Sequence, residues 1–380
     1  MALAFPESEY QRRVRAVESE LAVQGLDALI VTGPENICYL SGYWTPGYHV
    51  FQALVVRRKG DPFLVVRNIE ADSVRTKSWI ARFHPIDNLD RALPIFCEAM
   101  RAEGIERGRI GVEVDGARQS ITRLDLLAEG LPGVTWLPSL DLVDRFRAVK
   151  SDGEIDYMRQ AVRIAERALR DGADSLATAR TDSDVAAAVH ARLAGAGSEF
   201  TGSPPYIVGG KASALTHALH ANRPLAPTDL VWMEVSASVN RYHGVASRIG
   251  GRDLPAAARQ HFAVSAEAVQ AMIKAMRPGV TAGAVDAVGR AVVEKHGMRG
   301  YWKNRAAYSL GLSFPPGLGE GHIIDIKPND SRPLAAGMAF HLIPILKVPE
   351  LGAIGCTETV VVRDGGGERL GSLPLEPLSP

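Results

Sequence analysis

A chain of 380 residues exceeds what one hydrophobic core usually organises, so two domains are expected. Lys and Arg number 43 and Asp and Glu 43, and this zero net charge argues against nucleic acid or an anionic membrane as partner. A 46% hydrophobic and 23% charged composition excludes disorder as the main state, and no apolar run reaches the ~18 residues that a membrane span needs.

The opening residues, MALAFPESEYQRR, place acids and arginines where a signal peptide keeps its apolar stretch, so a cytoplasmic location is expected. Glu7 to Gln24 carries apolar residues at helical spacing, and the short apolar run from Asp27 to Gly33 then reads as a buried strand ending on a turn glycine. FQALVVRR, PFLVVR and RIGVEV predict further strands, with a helix near Leu93 to Glu103 between the last two. Strands alternating with helices make this part an α/β layer. The three cysteines, Cys38, Cys97 and Cys356, are widely spaced and odd in number, as expected of reduced thiols and not of a disulfide framework.

A boundary falls near Lys150. Ser151 and Glu154 stand at capping-box spacing, with the serine oxygen free to accept from the third helical amide and the glutamate placed to reach back. From there a coarse period predicts helices opening near Glu154 and Asp182 and strands around Tyr206 and Leu230. Helices near Ala256 and Ala282 and strands around Ala339 and Thr359 repeat it. Two helix-helix-strand-strand units imply an internally duplicated α+β domain.

The densest polar cluster runs from His217 to Arg248. Glu234 lies 17 positions after His217, inside the apolar strand LVWMEVSA, and Glu358 sits likewise in CTETVVVRD. A carboxylate in such a strand is costly unless paired, and two of them with a histidine form a plausible acid/base set. Glu234 on a solvated strand face and His217 as a structural histidine remain open at this level.

Several stretches in order resemble the creatinase/aminopeptidase P/prolidase family: Asn36 to Gly42, Arg147 to Glu154, Gly209-Gly210 followed by His217, and Asp229-Leu-Val. The resemblance implies a creatinase/prolidase-type α/β domain over residues 1–147. Over 148–380 it implies an α+β pita-bread catalytic domain with internal pseudo-duplication. Peptidases of the family hold two metal ions with two aspartates, a histidine and two glutamates. Here the corresponding positions carry Glu234, Val245, Tyr308, Ile343 and Glu358. Valine and isoleucine have no lone pair and neutral tyrosine is a poor ligand, so no metal and no cofactor is expected. His243 and His322 lack ligand spacing.

The sequence is similar in particular to the metal-independent ectoine hydrolase branch, through the His217–Glu234 spacing, Arg241-Tyr242-His243, and the run from Tyr308 to Pro316 followed by Gly319-Glu320. Leu318, in place of a tryptophan, and the segment Tyr43 to Phe51 depart from it. The resemblance implies hydrolysis of a C–N bond in a small amidine or amide. His217 would be the acid/base, with Glu234 the candidate for attack and Glu358 for pairing with substrate, two roles that the sequence leaves exchangeable. Tyr308 would donate from the vacated metal space or simply fill it. Arg248 would hold a substrate carboxylate or pair with a structural acid. His220, Tyr242 and His243 complete the expected substrate contacts. Trp44 and Tyr48 would cover a neighbouring subunit's site in a homodimer. The alternatives are a metal-dependent Xaa-Pro peptidase or related lyase with atypical ligands, and a family member that binds a ligand without turning it over.

Overall fold

The computed structural model describes residues 3–113, 124–139, 141–215 and 217–380. The chain forms two compact units, Met1–Arg147 and Ala148–Pro380.

The first unit is built on one six-stranded sheet. Its strands are β1 (Ala28–Val31), β2 (Ala53–Arg57), β3 (Phe63–Arg67), β4 (Phe83–Ile86), β5 (Arg107–Val112) and β6 (Gly133–Pro138), in the order β4-β3-β2-β1-β5-β6. β1 runs antiparallel to β2 and parallel to β5, so the sheet is mixed. The helix Glu7–Gln24 forms as its apolar spacing predicts and ends on Gly25 in the left-handed region, φ 66°. β4 and β6 are strands that periodicity does not reveal. Both are edges, needing only one partner, and β4 tolerates Pro85 for that reason.

The second unit opens with the helix Asp152–Ser175, whose first turn is closed by the Ser151–Glu154 capping box. Next come the helix Asp182–Gly195 and the three strands β7 (Tyr206–Gly209), β8 (Val231–Val239) and β9 (Tyr242–Gly250), paired β7-β8-β9. β9 is buried along its whole length, and its polar letters hide it from a hydropathy reading. At Gly244 the helix Asp152–Ser175 presses on β9 so closely that a Cβ would lie 2.3 Å from the Val162 nitrogen. The second half repeats the plan with helices Ala256–Ala275 and Ala282–Lys295. Its strands are β10 (Ala307–Ser309), β11 (Asp325–Ile326), β12 (Ala339–Leu342), β13 (Leu346–Val348), β14 (Gly352–Ile354), β15 (Glu358–Arg363) and β16 (Gly366–Arg369). Five of these form the sheet β11-β10-β12-β15-β16, and β13 pairs with β14. This is the α+β pita-bread plan with two related halves. Among the described residues no helix is long and apolar enough to cross a membrane.

Period-two alternation along β8 decides which of its side chains enter the core and which face a cavity. Val231, Met233, Val235 and Ala237 enter the core beneath the first pair of helices. Trp232 and Glu234 therefore face the other way, onto a cavity.

Candidate active site

The cavity has a volume of about 790 Å³ and lies wholly within the second unit. Its wall includes Tyr206, His217, Glu234 and Tyr308, and its rim carries Lys303, Asn304, Arg305 and Lys347. Antiparallel register places Tyr206 opposite Glu234 across β7 and β8. The Tyr206 ring in turn lies 5.8 Å from that of His217, centroid to centroid. Two of the residues expected to react, His217 and Glu234, thus line one space although they come from a loop and a strand. His217 is solvent-exposed and held in the left-handed backbone region, φ 60°.

Glu234 is half-buried, not on a solvated face, and desolvation pushes its carboxyl up to about 7. Burial, and after it the Glu234 carboxylate, holds the Tyr308 phenol well above its ordinary value. Tyr206 is raised by burial first and by the same carboxylate. Around Glu234, then, stand two protonated phenols, with cations further out. Arg305 donates from Nη1 to both Asp325 carboxylate oxygens at 3.0 Å, and its guanidinium lies 4.6 Å from the Tyr308 ring centroid.

Behind Tyr308 lies a residue that the sequence reading missed. His341 sits opposite it in the β10–β12 register, with Nδ1 2.7 Å from the Tyr308 hydroxyl and Nε2 2.6 Å from Thr357 Oγ1. His341 is fully buried, and burial, aided by the nearby Arg305 charge, lowers its pKa to about 3, so the ring is neutral. A histidine interrupting the apolar run AFHLI is the same signal that marked Glu234.

Glu358 and Arg248 stand elsewhere than expected. Glu358 is not on the cavity wall: its carboxylate accepts from Arg248 Nη2 at 2.5 Å and from Arg369 Nε at 3.1 Å, and it is shut off from solvent. Arg248, equally buried, also donates to the carbonyls of Pro374 and Leu373 at 2.8 and 2.9 Å. The pair is internally satisfied, so the structure assigns Arg248 to a structural acid and gives Glu358 no free oxygen edge for substrate.

Within the second unit, Tyr242, His243 and His220 do not line the cavity either. Tyr242 is buried, donates to Glu154 Oε1 at 2.9 Å and stacks on Tyr157. His243 is buried, accepts from the Gly202 amide at 3.0 Å, and desolvation drops its pKa to about 3. His220 packs edge-on against His190 at 6.1 Å. In the first unit, Trp44 lies under the Lys77 ammonium at 4.2 Å and Tyr48 meets His49 edge-on at 6.4 Å.

The donor set does not fit a dinuclear metal centre. Val245 and Ile343 are aliphatic, the Tyr308 hydroxyl is engaged by His341, and Glu358 is neutralised by two guanidiniums. Among the described residues no group of three or more His, Cys, Asp or Glu side chains is placed to hold a metal ion.

Residues 156–364 match Metallopeptidase family M24, and residues 13–149 match the Creatinase/Prolidase N-terminal domain. The chain is 32% identical to an uncharacterised hydrolase/peptidase of Sinorhizobium fredii, with 98% of each chain covered. It is 28% identical to an ectoine hydrolase of Halomonas elongata, over 99% of this chain and 98% of that one. A putative dipeptidase of Bacillus subtilis matches at 23% identity over 96% of this chain and 98% of its own. In fold, the chain is similar to the dipeptidase PepE of Mycobacterium ulcerans, with a TM-score of 0.82, 24% identity and 99% of each chain covered. It is also similar to an X-Pro aminopeptidase of Thermotoga maritima, with a TM-score of 0.84 at 18% identity, covering 96% of this chain and 99% of that one.

Proposed function

Because this chain belongs to metallopeptidase family M24, with a creatinase/prolidase N-terminal domain before the catalytic one, we propose that it is a hydrolase cleaving a C–N bond of a small amidine or amide without a metal ion, as an ectoine hydrolase-like enzyme. The observation that carries this reading is Glu234. At the position where peptidases of the family keep a metal ligand, it faces a cavity also lined by Tyr308 and Ile343, while of the other two ligand positions Val245 is aliphatic and Glu358 is paired with arginine.

In the proposed reaction Glu234 attacks as the carboxylate. One oxygen bonds to the amidine or amide carbon, and the C–N bond breaks with its electron pair going to nitrogen. His217, entering as imidazolium, supplies the proton that the departing nitrogen takes. Neutral His217 then removes a proton from water, whose oxygen bonds to the same carbon and displaces the Glu234 carboxylate. Tyr308 donates a hydrogen bond within the cavity. The cationic rim formed by Lys303, Arg305 and Lys347 suits a substrate with a carboxylate at its outer end.

Peptide hydrolysis is the competing reading, supported by the dipeptidases among the relatives. Purified protein incubated in chelator with ectoine, other cyclic amidines, small amides and Xaa-Pro dipeptides separates the two. A new free amine from an amidine or amide, unaffected by chelator, is expected. Turnover confined to dipeptides and abolished by chelator would overturn the proposal.

A further inference from the structure

The contacts behind Tyr308 can be read as directed hydrogen bonds by accounting for each hydrogen. Thr357 and His341 are both wholly excluded from solvent. A hydroxyl carries one hydrogen, and among the described residues the His341 Nε2 atom, 2.6 Å away, is the partner that Thr357 Oγ1 finds. Were Nε2 itself protonated and donating, the Thr357 hydrogen would be buried with no acceptor, which costs the desolvation of that group without return. Thr357 therefore donates to Nε2. A neutral imidazole has one N–H, so that hydrogen sits on Nδ1 and points at the Tyr308 hydroxyl oxygen, 2.7 Å away. Tyr308 accepts this bond, and its own hydrogen is turned away from His341.

We propose that Thr357 and His341 form a one-way hydrogen-bond chain that fixes Tyr308 as a hydrogen-bond donor into the Glu234 cavity. Its acceptor is the substrate heteroatom on which electron density builds as Glu234 attacks. His341 and Thr357 are positioning residues, and neither lines the cavity. No proton leaves the chain: Tyr308 stabilises charge by donation, and a neutral His341 donating to its oxygen makes the phenol a better donor. The assignment of Tyr308 to substrate rests on the functional reading above, whereas the direction of the chain does not.

The ring nitrogens of His341 report the direction without any substrate. In protein labelled with nitrogen-15 histidine, the His341 signals, assigned by their loss in His341→Gln, are expected to show a protonated Nδ1 and an unprotonated Nε2. Thr357→Val is expected to shift the proton toward Nε2, and Thr357→Ser to restore it to Nδ1. An Nε2–H tautomer in the wild-type protein overturns the proposal, whatever the variants do. For a substrate that the wild type turns over, Tyr308→Phe is expected to lower kcat ~100-fold. Thr357→Val is expected to lower kcat by a smaller factor with KM unchanged, and Thr357→Ser to recover it. An unchanged kcat in Tyr308→Phe overturns the donor role. An Nδ1–H tautomer with no turnover of any amidine or amide supports the chain and overturns the functional reading alone.

Discussion

Arg248 donates from Nη2 to the Glu358 carboxylate at 2.5 Å, and neither side chain reaches solvent. A carboxylate inside an apolar strand is thereby explained by a partner 110 positions away in sequence, and the pair joins β9 to the start of β15. Removing one member of such a pair leaves the other charge buried and uncompensated, which costs about 3–5 kcal/mol.

Glu358→Ala should therefore lower stability by about that amount in urea or guanidinium denaturation. His217→Ala, at an exposed position, should stay within about 0.5 kcal/mol of wild type and lose at least ~100-fold in turnover. A Glu358→Ala protein that unfolds at the wild-type denaturant concentration but has lost turnover would return Glu358 to the substrate.

The raised Glu234 carboxyl predicts opposite pH trends for activity and stability. Attack requires the carboxylate, so kcat/KM should rise about tenfold per unit as the pH approaches about 7 from below. Between the ordinary value of 4.5 and about 7, the folded protein holds a proton that the unfolded chain has released. Stability should consequently fall as pH rises through that window and be flat above it with respect to this group. The difference in denaturation midpoint between wild type and Glu234→Gln, followed from pH 4 to 9, isolates the slope. A pH-independent difference would show that Glu234 is not desolvated.

How far the sequence could be read depended on whether a residue's partner was local. The capping box at Ser151 and Glu154, the helix Glu7–Gln24 and the strands around Leu54 and Leu64 follow from spacing within a few residues, and all form. Glu234, Glu358 and His341 emit one common signal, a polar side chain in an apolar strand, yet they have different fates. Glu234 meets a cavity, Glu358 two arginines, and His341 a tyrosine and a threonine. Strand alternation says only which face a side chain occupies. What stands opposite that face is decided by elements up to about a hundred residues distant, so the strand pattern alone does not separate Glu358, paired with arginines, from Glu234, which meets the cavity.

The donor set predicts how the protein treats metal. Dialysed protein should carry well under one equivalent of zinc, manganese or cobalt per chain by elemental analysis. Adding chelator should change neither its turnover nor its thermal midpoint, because a bound ion would stabilise the fold in proportion to its occupancy. Stoichiometric metal retained through dialysis, with chelator lowering the midpoint, would show a ligand set other than the side chains at positions 234, 245, 308, 343 and 358.

Gly319 gives a test of how tightly Tyr308 must be held. A Cβ at this position would lie 2.5 Å from Cδ2 and 2.6 Å from Cε2 of the Tyr308 ring. The ring cannot simply swing aside. Its hydroxyl is bonded to His341 at 2.7 Å, and its face lies 4.6 Å from the Arg305 guanidinium. Gly319→Ala should therefore cost about 1–3 kcal/mol by overpacking. It should also displace the phenol enough to lower kcat by up to ~100-fold, since misplacing a catalytic contact by 1 Å can cost that much. Gly300 lies off the cavity and has open space where a Cβ would go, so Gly300→Ala should behave like wild type in both assays. Equal kcat values for the two variants would mean that the position of the Tyr308 ring does not matter to the reaction, and Tyr308 would then be only a filler of the cavity wall.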